Sequence, residues 1–224
     1  MRVDPAAVAR FLRTAYEPED WVAIFLKSYA SGRVTQRVRS VAAAQREKFQ
    51  AWLRAENAVG ANVYVSLNAM APHQRSRRRD AILAIRHVFL DADHSASEVL
   101  DVIARRSDLP QPSYTLNSSP QKAHIFWRVA GFAPEEAEAL QKQLARELAT
   151  DPAATARTQL TRLPGFLYLK SPVVRTWRTT LISQGPTYAA VTHSWKDEAR
   201  HGDRGRPPSL LAPVGLSWCL GMFR

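Results

Sequence analysis

Apolar and polar residues change their period several times along this chain of 224 residues, and the changes divide it into helices and strands. Val8, Phe11, Leu12 and Ala15 recur at helical spacing behind Asp4, a capping acid, and Pro5, suited to a first helical turn, so a helix is predicted over residues 5–16. Residues 21–28 (WVAIFLKS) read as a strand, Ser31 and Gly32 as a turn, and residues 33–41 as a second strand in which Val34 and Val38 alternate with basic side chains. Together they predict a hairpin. Residues 42–58 carry Phe49, Trp52 and Leu53 on one side and charge on the other, a helix that Gly60 ends. Residues 62–68 (NVYVSLN) alternate as a strand, and an arginine-rich loop follows them.

The next apolar run, Ile85 to Leu90, predicts a buried strand that ends in Asp91 and Asp93. Ser95 with Glu98 three positions on is the pattern of a capping box, heading a helix through Val99, Leu100, Val102 and Ile103. Residues 113–117 and 123–129 (AHIFWRV) read as paired strands, and Pro134 opens a helix over 135–149 whose Ala137, Leu140, Leu144 and Leu148 form one apolar stripe. Short strands are expected at 166–169 and 179–183. Beyond Trp195 the composition turns to Gly, Pro and Arg, so residues 1–195 are expected to be one domain and 196–224 a flexible tail. Interleaved strands and helices indicate a mixed α/β or α+β sheet domain covered by helices.

Composition narrows the partner. The formal net charge is +11, much of it from arginine, as at Arg33, Arg37 and Arg39 and again at Arg75, Arg77, Arg78 and Arg79. A planar guanidinium binds two phosphate oxygens at once, so this charge favours a polyanionic partner. No apolar run approaches the roughly 20 residues of a membrane span, and the N-terminus lacks the apolar core of a secretory signal. With one cysteine, Cys219, there is no internal disulfide or cysteine-based zinc cluster, which fits a cytoplasmic protein.

The pair Asp91 and Asp93 carries the chemistry. Side chains two apart on a strand point to one face, their Cα atoms about 6.8 Å apart. Two carboxylates held together are costly without a cation, and two Mg²⁺ or Mn²⁺ ions would turn that cost into a site for phosphoryl transfer. Alone, an Asp-x-Asp pair also reads as a strand ending in a solvated turn.

Three segments in order resemble the motifs of the archaeo-eukaryotic primase superfamily, closest to its plasmid RepB-type primase branch. They are the strand ending in Asp91 and Asp93; the run from Ser118 through Lys122 to His124 at the head of a strand; and Asp151 followed by Arg162, Leu163, Pro164 and Gly165, with Lys170 beyond. The likeness covers about residues 1–183. It implies an α+β fold in which an RRM-like antiparallel sheet carries the acids beside an N-terminal α/β unit. Asp91, Asp93 and Asp151 would hold two Mg²⁺ or Mn²⁺ ions, while Ser118, Lys122, His124, Arg162 and Lys170 would meet a nucleoside triphosphate. The reaction implied is template-directed primer synthesis in plasmid or mobile-element replication. A single-stranded DNA template would run along Arg33, Arg37, Arg39, Arg75, Arg77, Arg78 and Arg79, with Trp52, Trp177 and Trp195 as candidate stacking surfaces. A replicative helicase or a separate helical template-binding module would be further partners.

The chain departs from the pattern at Ala156, Gln159 and Tyr168, where an acid, an arginine and an Asn or His are expected. Two other classes fit parts of the sequence. A metal-dependent nuclease would use the acids but not the triphosphate-binding set, and a non-catalytic single-stranded-DNA-binding replication factor would need only the basic surface. An origin-nicking initiator would need a His-x-His metal pair, which the chain lacks.

Overall fold

The protein, seen in a computed structural model, is described over residues 3–119 and 121–169, with the backbone of three further strands, Trp177–Arg178, Thr180–Leu181 and Thr187–Ala189. Lys170, Trp195, the Trp177 side chain, the boundary at 195 and the tail 196–224 lie outside the described residues.

Helix α1 (Pro5–Ala15) starts at Asp4, whose side chain accepts the Ala7 amide at 3.2 Å. Strands β1 (Trp21–Ser28) and β2 (Val34–Ser40) form the expected hairpin, with Phe25 opposite Gln36. The helix expected over 42–58 is broken into α2 (Val41–Ala44) and α3 (Glu47–Ala58). Arg46 is extended at the break, and the Gln50 side chain donates to the Ala44 carbonyl at 2.6 Å, taking the place of the next helical bond. Strands β3 (Ala61–Ser66) and β4 (Ala69–Met70) both pair with the far edge of β1, and β5 (Ile82–Ala84) extends β4.

A second sheet is built from β6 (His87–Ala92), β7 (Tyr114–Ser119) and β8 (Lys122–Ala130), with β8 antiparallel to both neighbours. Helix α4 (Ala96–Arg105) joins β6 to β7, and α5 (Pro134–Glu147) follows β8. This β-α-β-β-α order, with β8 between β6 and β7, is the RRM-like sheet that was expected. Thr180–Leu181 pairs with β7 and Thr187–Ala189 with β8. After α5 the chain returns to the first sheet as β9 (Leu160–Arg162) on β3, and β10 (Leu167–Tyr168) then pairs with Trp177–Arg178 in a separate two-stranded sheet.

Alternation along β6 divides the core in two. Val88, Leu90 and Ala92 join Val99 and Ile103 of α4 and Leu140 and Leu144 of α5. Phe89, pointing the other way, joins Phe11 and Leu12 of α1 and Val22, Ile24 and Leu26 of β1. His87 on that second face is wholly buried; its Nε2 meets the Tyr114 hydroxyl, and burial pushes its pKa down to about 4.

The capping box expected at Ser95 does not form. Ser95 precedes α4 in the left-handed region, φ 47°, and its hydroxyl makes no capping bond; the Ala96 amide donates instead to the Gln121 carbonyl at 3.2 Å. The β7–β8 turn thus satisfies one of the orphan amides of the helix start.

Candidate active site

Strand β6 carries Asp91 to the end of the second sheet, on the same face as His87 and Phe89, with Asp93 just past it. Helix α5 then packs across β6 and delivers Asp151 to the same place. The Asp151 amide donates to the Asp91 carbonyl at 3.1 Å, and its carboxylate accepts the Ala153 amide at 2.8 Å at the start of a 3₁₀ turn, Pro152–Thr155. Oxygens of Asp91, Asp93 and Asp151 all lie within 4.8 Å of one another.

These carboxylates fit a divalent cation. Asp91 Oδ1 is buried and has no hydrogen-bond partner, an expensive state for an anionic oxygen that a hard cation would relieve. Burial first, then the charges of Asp93 and Asp151, push the Asp91 carboxyl up to about 7. At Asp93 burial also pushes upward, but the Lys122 ammonium, 2.9 Å from Oδ1, outweighs it and holds that carboxyl below its usual value.

His124 stands on β8 directly opposite Asp91. Its Nδ1 lies 2.7 Å from the Thr161 hydroxyl, and its Nε2 faces Asp91 Oδ1 at 3.6 Å, too far for a hydrogen bond. Burial, helped by the nearby Arg162 charge, lowers its pKa to about 3, so the ring is neutral and offers one nitrogen to the cleft. Arg162 Nη1 donates to the Ser118 carbonyl, and its guanidinium lies 3.4 Å from the centroid of the Tyr168 ring. Tyr168, one of the departures from the primase pattern, thus supplies an aromatic bed for Arg162, and Gln159, another, lines the same cleft.

Asp91, Asp93, Ser118, His124 and Arg162 line one cleft of about 340 Å³, and Lys122 touches it through Asp93. The arginines expected on DNA divide between two faces of the first sheet. Arg37 and Arg39 share the β2 face opposite Ile24 and Val22, Arg37 lies over Trp52 of α3, and Arg33 pairs with Glu56 of α3. Trp52 is thereby packed between Phe49 and Arg37. On the other face, the Arg75 carbonyl accepts a bond from Gln36, and Arg77 lies over Phe25 while donating to the Thr158 carbonyl. Arg78 pairs with Asp80, and Arg79 with Glu138 on α5.

Sequence reading missed two groups of residues. Thr161 orients His124, and buried Gln141 holds the acid-bearing segments together: its Oε1 accepts the Phe89 amide at 2.9 Å and its Nε2 donates to the Thr155 carbonyl at 2.8 Å. A polar residue inside the apolar stripe of α5 was the available signal for Gln141. The second group, Phe25, Lys27, Tyr29 and Tyr64, lines the cleft from the first sheet. Among the described residues, no helix is long and apolar enough to cross a membrane.

Residues 30–180 match the RepB DNA-primase N-terminal domain family. Among solved structures, primase RepB' superposes with TM-score 0.62 at 22% identity, covering 82% of this chain and 57% of that one. The catalytic domain of primase RepB' in complex with initiator DNA gives TM-score 0.62 at 23% identity, covering 82% and 86%. The AEP domain of the cyanophage S-2L primase-polymerase gives TM-score 0.63 at 14% identity, covering 83% and 92%. The chain therefore spans little more than half the length of the longer RepB' structure. No curated protein sequence matches it.

Proposed function

The chain belongs to the RepB DNA-primase N-terminal domain family, and from that premise we propose that it is a primase-polymerase that makes primers on single-stranded DNA for plasmid or mobile-element replication. The observation that carries this reading is the convergence of Asp91, Asp93 and Asp151 around a buried, unpartnered oxygen in a cleft that also holds a neutral histidine and an arginine.

In the reaction a primer or nucleotide 3′-hydroxyl attacks the α-phosphorus of an incoming nucleoside triphosphate, a new P–O bond forms, and pyrophosphate leaves. Two Mg²⁺ or Mn²⁺ ions, when bound, lower the pKa of the attacking hydroxyl and offset charge on the leaving oxygen. Asp91, Asp93 and Asp151 would hold them. Arg162, fixed by Tyr168 and the Ser118 carbonyl, presents guanidinium donors to the triphosphate, and Lys170 adds a further cation. Lys122, seated on Asp93, is the cation nearest the acids and turns to phosphate when the carboxylate is engaged elsewhere. His124, oriented by Thr161, offers Nε2 to a phosphate oxygen beside Asp91. Most of the rate enhancement in such a transfer comes from this positioning and charge, since the protein supplies no covalent chemistry.

Incubating the protein with single-stranded template, Mn²⁺ or Mg²⁺ and labelled nucleotides tests the proposal. Template-dependent extension products are expected. Shortened template would show a nuclease, and template retained without new product would show a non-catalytic binding factor.

A further inference from the structure

The strand register of the first sheet lines up four side chains in one straight row. Gln36 on β2 is opposite Phe25 on β1, Phe25 is opposite Tyr64 on β3, and Tyr64 is opposite Arg162 on β9. Opposed residues share a face, and neighbouring strands are about 4.8 Å apart, so the row runs about 14 Å across the sheet and ends at the acids. Its face is the one turned away from the core that Ile24 and Leu26 share with the second sheet. Phe25 and Tyr64 are only partly buried, and their rings meet at 6.2 Å. Tyr29, 38% exposed, continues the aromatic surface, its hydroxyl 3.3 Å from that of Tyr64.

Cations flank the row on the same side. Lys27 Nζ lies 4.7 Å over the Tyr29 ring, Arg77 lies over Phe25, and Arg162 closes the end. Asp91 and Asp93 are the acids of the cleft lining, and both belong to the metal-binding end. Flat rings with interleaved cations, continuous with a phosphoryl-transfer cleft, have the chemistry that holds a single strand without reading its sequence: bases stack on the rings and phosphates meet the cations.

We propose that the row Gln36, Phe25, Tyr64, Arg162 is the bed on which the single-stranded DNA template crosses into the active site, with Phe25 and Tyr64 stacking bases and Lys27 and Arg77 meeting phosphates. The proposal rests on the primase reading for the identity of the strand, and it places the template on the face opposite Arg33, Arg37 and Arg39.

The test is binding of a fluorescein-labelled oligo-thymidine to the full chain in EDTA, where no synthesis occurs, followed by anisotropy. Phe25→Leu and Tyr64→Leu keep apolar bulk but remove the ring, and each is expected to weaken binding about tenfold with an unchanged salt slope. Tyr64→Phe keeps the ring and should stay within twofold of wild type. Lys27→Gln should instead lower the log–log salt slope by about 0.7. Wild-type affinity in folded Phe25→Leu and Tyr64→Leu proteins overturns the bed, as does a loss confined to the KM for nucleotide. Because this readout needs no catalysis, its failure in a protein that synthesises primers leaves the primase reading standing, and failed synthesis by wild type leaves the binding result to judge the bed.

Discussion

The backbone amide of Asp151 donates to the carbonyl of Asp91 at 3.1 Å, so two acids from distant parts of the chain are joined through the main chain before any cation is involved. The bond fixes where the 3₁₀ turn after α5 sits on the end of β6. It leaves the Asp91 carboxylate in the cleft lining beside Asp93, while the Asp151 carboxylate, which accepts the Ala153 amide, keeps an oxygen within 4.8 Å of both.

Gln141 supports that junction, bridging the Phe89 amide of β6 and the Thr155 carbonyl of the turn that Asp151 heads. Gln141→Met keeps the volume and leaves both backbone groups bare, at about 1–3 kcal/mol each. The variant is expected to unfold at lower urea, to bind Mn²⁺ about tenfold more weakly, and to bind single-stranded DNA within twofold of wild type. Wild-type Mn²⁺ affinity in the folded variant would show that Gln141 serves only the core.

With metal held at Asp91 as proposed, the raised pKa of that carboxyl should make binding depend on pH. Below about 7 the Asp91 carboxyl keeps a proton that a metal must displace, so calorimetry in two buffers should find proton release at about pH 6 and little at about pH 8.5. Affinity should fall with acidity across that range. The sign for stability is opposite in the metal-free protein: a carboxyl whose folded pKa is raised above 3.8 imposes no penalty below that value and its full penalty above about 7. Metal should therefore raise the melting temperature more at about pH 8 than at about pH 5. Proton release equal at both pH values in the calorimetry would refute the assignment to Asp91.

Gly165 closes the Arg162-Leu-Pro-Gly segment at φ +91°, and a Cβ there would run into the Asp4 carbonyl at the start of α1. Its own carbonyl accepts the Asp4 amide at 2.9 Å. Gly165→Ala is expected to cost about 1–3 kcal/mol in urea unfolding, while Pro164→Ala in the same segment should cost less. Equal stability of Gly165→Ala and wild type would mean that α1 does not need this close approach.

Much of the fold was legible because the periods were clean. Residues 21–28 read as a strand and form one with the same bounds, and the alternation before Asp91 placed both early acids on one face. The break at Arg46 was not legible, since it depends on Gln50 reaching back to the Ala44 carbonyl. Nor was the failed cap at Ser95, where a carbonyl from a distant turn replaces the hydroxyl. Asp151 was found through its likeness to a motif; nothing local to it shows that α5 crosses β6. Phe25 and Tyr64 carry a strand's alternation, but alternation names a face without naming what lies across from it, so the aromatic wall emerged only with the register. The same limit hid the division of the arginines between two faces of the sheet.

The central claim is that Asp91, Asp93 and Asp151 act as one metal-dependent site for nucleotide transfer. Asp151→Asn keeps nearly the same volume and the backbone bond to Asp91, so folding, followed by circular dichroism and urea unfolding, should be close to wild type. Template-directed incorporation of labelled nucleotide with Mn²⁺ should fall by about a hundredfold or more, as when a group acting on transition-state charge is lost. Asp91→Asn should lose as much, and the double variant little more than either, because residues acting as a unit are not additive. A folded Asp151→Asn protein that synthesises primers at near wild-type rate would contradict the account.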